Sequence, residues 1–399
     1  MFDILRKDYA IINIMIILVA VSPAFALGEG NRNMLLIGAM CLSPYFFIRF
    51  PIIIPKVDIP LTILCLMMIA FPLIFHPETM RWSTVLYSCL CCMYFMAFAR
   101  VLSVREYTLL NFEQLLIGLI YAYCIVLIIQ QFCVLTGLPI FNLSNYSLKE
   151  PWKLNSLMSE PSHTARIIPV LMYLFVCCEE KQNIGEKLSF KESFKNSKYV
   201  WLSFLWCICT MGSATAFIFM WIVFAKFVNL KKLLPTIAMC MSVFIVMFYM
   251  SENKSVLRAN KIIMATLTLD EDKILSADGS GGSRIVPTIQ AAKVLGITSK
   301  SDLFGYGIDA DKKIIKPLPG FTKGQSGAFF LWVNYGAIVA FIWWLFTLKI
   351  CYTPKDFVSL LIWFLVIFSY GGFNNQIVWM TLGLLYTYKK VNYIPQKTQ

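Results

Sequence analysis

Residues 155–170 read NSLMSEPSHTARIIPV and set a carboxylate, an imidazole and a guanidinium (Glu160, His163 and Arg166) where a polar stretch turns apolar. Three such groups can accept a proton, pass it on and hold an anion. Pro161 suits the first turn of a helix, because its missing N–H would have had no partner there. Ser159 or Glu160 then serves as the cap. A spacing of three sets Glu160 and His163 side by side, with Thr164 and Ile167 extending the stripe and the positive end of the helix dipole at the polar boundary. Glu160 and Arg166 are six positions apart and point to different sides. A bland arrangement explains the first two as a capping carboxylate and a boundary histidine. Arg166 strains that account: it lies about a turn and a half into the apolar run, where a charge is costly unless it faces a polar cavity or a partner.

A second group lies downstream. ADGSGGSRIVPTIQAAKVLG (277–296) reads as a glycine-rich flexible piece leading into Arg284 and a short amphipathic helix. Glycines allow a backbone to approach a ligand closely, and an arginine beside them offers paired N–H donors to a phosphate. The competing reading is a surface linker with an incidental arginine. The segment is not a nucleotide P-loop, since no Gly-Lys-Ser/Thr follows. With His76 and His163 the only histidines and no acidic cluster at ligand spacing, no metal site is expected. His76 reads as an interfacial residue. The thirteen cysteines lie in or beside apolar runs, as in YSCLCCMYF, and read as packing rather than a disulfide or zinc framework.

The elements that must position these groups are membrane spans. Hydrophobic residues make up 58% of the 399 positions and charged residues 14%, which excludes a soluble globular domain. Apolar runs near 10–27, 34–48, 58–75, 82–99, 111–136, 164–178, 199–212, 213–228, 234–250, 326–348, 357–370 and 376–388 predict an all-α polytopic membrane protein with about twelve helices. The stretch 199–228 is read as two short helices turning at Gly212-Ser213-Ala214, because one crossing would invert everything downstream. The whole of 1–399 forms a single integral membrane domain, with one large, partly helical loop at 251–325. The first run also has the look of a signal peptide, with Arg6 and Lys7 before it and Ala24-Phe25-Ala26 after it. An uncleaved span is expected, as the run is long enough to cross.

The net charge of +13 does not point to nucleic acid, because Lys and Arg in a membrane protein first report orientation. With both termini cytoplasmic, segments 1–9, 49–57, 100–110, 179–198, 226–233, 349–356 and 389–399 collect nineteen of the 35 Lys and Arg residues, and the short outer loops hold four. Loop 251–325 then lies outside, with eleven basic and eight acidic residues, a mild excess that fits an anionic ligand. Gly305-Tyr306-Gly307 and Gly371-Gly372 read as turn chemistry. No repeat relates the two halves, which counts against a transporter built on internal repeats.

The order of SEPSHTA (159–165) before a span, TMGSATAFIFM (210–220) at a tight outer break, SRIVPTIQAAKVLG followed by DLFGYG (283–307) in the loop, and GQSGAFFLWVNYGAIVAF (324–341) entering the next span resembles the bacterial O-antigen polymerase (Wzy-type) family, within the O-antigen polymerase and ligase superfamily. The resemblance covers the last two-thirds of the chain. It implies a GT-C-like glycosyltransferase of the inner membrane, independent of metal and nucleotide and with no cofactor, that joins undecaprenyl-diphosphate-linked oligosaccharide repeat units at the periplasmic face. Donor and acceptor lipids are then the partners, together with membrane lipid, and there is room for a chain-length regulator protein. The ligase branch carries a histidine where this chain has Gln325-Ser326-Gly327, which favours the polymerase. An arginine, ten residues and a glycine mark some polymerases, whereas Arg284 and Gly296 have eleven between them. The implied roles are Glu160 as acceptor of the hydroxyl proton, with His163 as the alternative base, and Arg166 and Arg284 on the donor diphosphate. The alternatives are an O-antigen ligase and a lipid-linked oligosaccharide flippase or transporter.

Overall fold

The computed structural model describes residues 2–25, 33–104, 107–142, 150–183, 187–211, 213–228, 261, 264–277, 279–314, 327–354, 356–369 and 373–391. Among these the fold is all-helical, with no strand. Helices Asp58–Phe75, Trp82–Val104, Leu109–Thr136 and Pro161–Gln182 are long and apolar enough to cross a membrane, and the chain is a membrane-associated helical protein. Inside hydrocarbon a lone segment can satisfy its own peptide groups only as a helix, so apolar runs of this length leave the backbone little choice.

The expected runs are helical wherever they are described. Lys198–Thr210 and Ala214–Ala225 are separate helices, as the turn at 212–214 required, with Gly212 itself outside the described residues. The 34–48 run is divided into Met34–Cys41 and Ser43–Arg49, with Pro44 in the first turn of the second. The 357–370 run begins as Phe357–Ile362 and widens into a π-helix over Trp363–Phe368. The 234–250 run lies outside the described residues.

Two expectations are corrected. The 326–348 run is not one helix: a 3-10 turn at Gly327–Phe329 leads into Phe330–Tyr335, and the chain breaks at Gly336 before Ala337–Cys351. Gly336 has φ +93°, a conformation that a side chain resists. The GSGGSR stretch is not a flexible lead-in either. It forms the first turns of the helix Gly279–Val294, where Gly282 lies against Leu275 so closely that a Cβ would come within 2.8 Å of Leu275 Cδ2. The glycine admits a neighbouring helix, Glu271–Ala277.

Two groups of long-range polar contacts lie at opposite helix ends. At one end, Asn33 caps its own helix and donates Nδ2 to Ser22 Oγ and to Gln376 Oε1, both at 2.8 Å, and Ser88 donates to Asn374 Oδ1 at 2.8 Å. At the other, Arg100 meets Asp58 at 2.7 Å, Lys226 meets Asp356 at 2.5 Å and Glu180 at 2.9 Å, and Lys181 donates to the Val391 carbonyl at 2.7 Å. Pro161–Gln182 runs between the two ends through the middle of the bundle. Nearly all its residues from Thr164 to Glu179 are buried, against Leu109–Thr136, Lys198–Thr210, Ala214–Ala225 and Gln376–Lys390.

Candidate active site

The site is built where the central helix begins. Glu160 occupies the N-cap position with extended backbone (φ −144°, ψ 150°) and Pro161 follows in the first turn. The sequence offered Ser159 or Glu160 as the cap. The Glu160 side chain in fact makes no capping bond; it accepts from Ser162 Oγ at 3.1 Å and faces His163 Nε2 at 3.7 Å. The other ring nitrogen of His163, Nδ1, is 3.0 Å from Ser159 Oγ. Hydroxyl, imidazole and carboxylate thus stand in a row within five residues. The imidazole is 13% exposed and the carboxylate 36% exposed, so the row is open on its acidic side. At 3.7 Å the carboxylate and imidazole are neighbours beyond hydrogen-bond distance.

Arg166 is the charge beneath this row. It is 9% exposed, and its guanidinium carbon lies 5.9 Å from the ring centroid of Phe219, on the neighbouring helix Ala214–Ala225. A cation over an aromatic face recovers part of the cost of leaving water. Arg284 lies in the first turns of Gly279–Val294, and its side chain is outside the described residues. Glu160 and His163 are therefore brought together at the head of the central helix, Arg166 follows on the same helix against Phe219, and Arg284 is located by its backbone.

Residues that no sequence motif singled out hold the entrance rigid. Gln130 is fully buried in Leu109–Thr136 and uses both ends of its amide: Nε2 donates to the Phe141 carbonyl at 2.9 Å and to Asn155 Oδ1 at 3.0 Å, while Oε1 accepts from Ser156 N at 2.8 Å. Asn142 donates Nδ2 to the carbonyls of Ser156 at 2.8 Å and Met158 at 2.7 Å. Thr164 donates its hydroxyl to the Asn155 carbonyl at 2.5 Å, so the same network fastens the first turn of the central helix. The signal was present in IIQQFC, since polar amides in the middle of an apolar run mark a position worth explaining. The asparagines had no such signal in a polar loop.

The large loop is held against the same end of the bundle. Gly305 (φ +93°) and Gly336 (φ +93°) put two backbones in contact: a Cβ on Gly305 would stand 2.7 Å from the Asn334 carbonyl oxygen and 2.9 Å from Gly336 N. Tyr306 N donates to the Val333 carbonyl at 2.8 Å, and Trp332 Nε1 donates to the Asp302 carbonyl at 3.0 Å. The glycines read as turn formers are thus points of close approach, one of them to a helix broken to receive it. Asp302 is held by the Tyr306 hydroxyl at 2.5 Å, Ser299 N at 3.1 Å and Gly296 N at 3.2 Å. These donors, the Tyr306 hydroxyl first, keep its carboxyl well below the usual carboxylate range. Burial and the same bond push the Tyr306 phenol up to about 12.

Among the described residues no three or more His, Cys, Asp or Glu side chains group as a metal site. Compared with protein-family models, with curated proteins and with solved structures, the chain matches none.

Proposed function

We propose that the chain is a polysaccharide polymerase of the O-antigen or capsule type, a glycosyltransferase that joins undecaprenyl-diphosphate-linked oligosaccharide repeat units. The observation that carries this reading is the Ser159, His163 and Glu160 row at the head of a buried helix, with Arg166 buried on the same helix. An acid–base pair at the head of a helix that also carries a buried cation matches the demands of transfer from a lipid diphosphate.

In the proposed reaction Glu160 accepts the proton of an acceptor sugar hydroxyl, with His163 as the alternative base. The hydroxyl oxygen bonds to the anomeric carbon of the donor, and the bond from that carbon to the diphosphate oxygen breaks. Arg166 and Arg284 bind the diphosphate and offset the charge that gathers on it as it leaves, which needs neither metal nor nucleotide. The wider architecture belongs to the same proposal: a twelve-span, GT-C-like protein of the bacterial inner membrane, with the lysine-rich helix ends and both termini cytoplasmic and the Glu160 end facing the periplasm.

Purified protein given lipid-linked repeat units tests it. Elongated glycan is expected from the native chain, and Glu160→Gln, Arg166→Ala and Arg284→Ala are each expected to lower the rate by about 10²–10³. Full activity in these variants at normal protein levels removes the assignment. Movement of the lipid across the bilayer without elongation would identify a flippase, and transfer to lipid A core would identify a ligase.

A further inference from the structure

We infer that His76, at the outer end of Asp58–Phe75, is a positioning residue for the large loop and so, resting on the proposed function, for the diphosphate-binding helix that carries Arg284. Asp58–Phe75 stops before Pro77, which cannot continue it, and Pro77–Thr79 forms a single 3-10 turn. The loop lies directly on this turn. His76 Nε2 is 2.8 Å from the Gly305 carbonyl oxygen. A carbonyl only accepts, so Nε2 carries the hydrogen. Gly307 (φ +101°) touches the same turn: a Cβ there would overlap Thr79 Oγ1 and stand 3.4 Å from His76 Cβ. Phe304 stacks on Phe75 with centroids 4.3 Å apart and meets Phe71 edge-on at 5.1 Å. Arg81 pairs with Asp309 at 2.7 Å on the rim.

The segment Phe304–Asp309 is therefore clasped from two sides, by the 76–81 turn and by the break at Gly336. Beyond it, Ala310 packs with Val333 and with Ala291 of Gly279–Val294, and Phe329 lies against the same cluster. A chain of close contacts runs from His76 through Gly305 and Ala310 to the helix bearing Arg284. The first third of the protein, otherwise plain spans, supplies the fixed point. The rim ion pair is half exposed on the Arg81 side and adds little by itself. The His76 side chain is 24% exposed, its Nδ1 lies 3.6 Å from Glu78, and its Nε2 makes a directional bond to the backbone at Gly305.

Three substitutions at position 76 separate geometry from bulk. The amide of His76→Gln reaches the place of Nε2 and keeps a donor for Gly305, that of His76→Asn reaches only the place of Nδ1, and His76→Leu has no donor. Amide hydrogen exchange of the Gly305–Asp309 stretch, read on full-length protein in lipid nanodiscs, is expected to quicken about three- to tenfold in the Leu and Asn variants and to stay within about twofold of native in the Gln variant. In the elongation reaction the Leu and Asn variants should lower kcat/KM for the lipid-linked donor about tenfold and the Gln variant should stay within about twofold of native, because Arg284 both binds the diphosphate and offsets its charge as it leaves. Unchanged exchange in His76→Leu overturns the clasp, whatever the protein's activity. Faster exchange with unchanged kcat/KM overturns the positioning role. A native chain that elongates nothing defeats the polymerase reading, and the exchange result still decides the clasp.

Discussion

Gly305 and Gly336 meet backbone to backbone: a Cβ on Gly336 would stand 2.6 Å from Gly305 N, and both residues have φ near +93°. One belongs to the large loop and the other to the break between Phe330–Tyr335 and Ala337–Cys351. Any side chain at either position faces a double penalty. A backbone with φ +93° and ψ near 165° is essentially reserved for glycine and costs another residue about 1–3 kcal/mol, and the added carbon collides with main-chain atoms. Gly336→Ala is expected to release the loop while the spans remain folded. Trypsin cleavage at exposed Lys300 of protein in nanodiscs reads this directly, and unchanged cleavage in the variant would refute the contact.

The Asp302–Tyr306 bond fixes how loop docking responds to pH. The folded pKa of Asp302 is depressed, so its contribution is complete above the unfolded value of about 4 and disappears as pH falls through the folded value, below the usual carboxylate range. That of Tyr306 is raised, so its contribution is complete below the unfolded value of about 10 and is lost as pH rises through about 12. Docking should be flat between these limits. Tyr306→Phe removes the first of the donors to Asp302, and the acid midpoint at which pepsin cuts the loop should move upward in pH. An unmoved midpoint would show that Ser299 and Gly296 hold the carboxylate without help.

Gln130 serves three partners on the loop that leads to Glu160. In Gln130→Leu the Ser156 N–H and Asn155 Oδ1 lose that partner in a buried place, each at about 1–3 kcal/mol if nothing replaces it, and the Phe141 carbonyl loses it in a partly exposed one. A lower thermal midpoint in detergent is expected, together with a lower elongation rate, because Ser159 and Glu160 follow from this network. Gln131→Leu at the adjacent position loses its contacts with Thr210 and Trp206 at the neighbouring helix end. It should spare the rate more than Gln130→Leu does, and the comparison separates the two roles.

Lys226 is the cation between Asp356 and Glu180, and all three side chains are about nine-tenths buried. Lys226→Met leaves two carboxylates facing each other and should destabilise the protein by about 3–5 kcal/mol. Adding Asp356→Asn and Glu180→Gln removes the stranded charges and should recover most of the loss. Thermal unfolding of the single and triple variants checks the order, and a triple variant no more stable than the single one contradicts it.

The sequence by itself determined the spans. Runs such as 58–75 and 376–388 become helices because an apolar segment in hydrocarbon must satisfy its peptide groups internally, and that requirement is local. Pro161 fixed the start of the central helix for the same kind of reason, since its ring and missing N–H act on its own turn. The proximity of Glu160 to His163 likewise follows from a spacing of three on one helix. Only the tertiary structure decided what those side chains do. Whether Glu160 caps its helix or turns to His163 depends on the loop tied down by Gln130 and Asn155. Whether GSGGSR is a flexible lead-in or a helix depends on Leu275 packing at Gly282. Why 326–348 breaks, and why Gly305 and Gly307 are glycines, depends on partners drawn from His76, Thr79 and Gly336. Contacts between residues so far apart in the chain leave no periodic mark on either stretch, because each glycine meets its constraint in another segment's backbone.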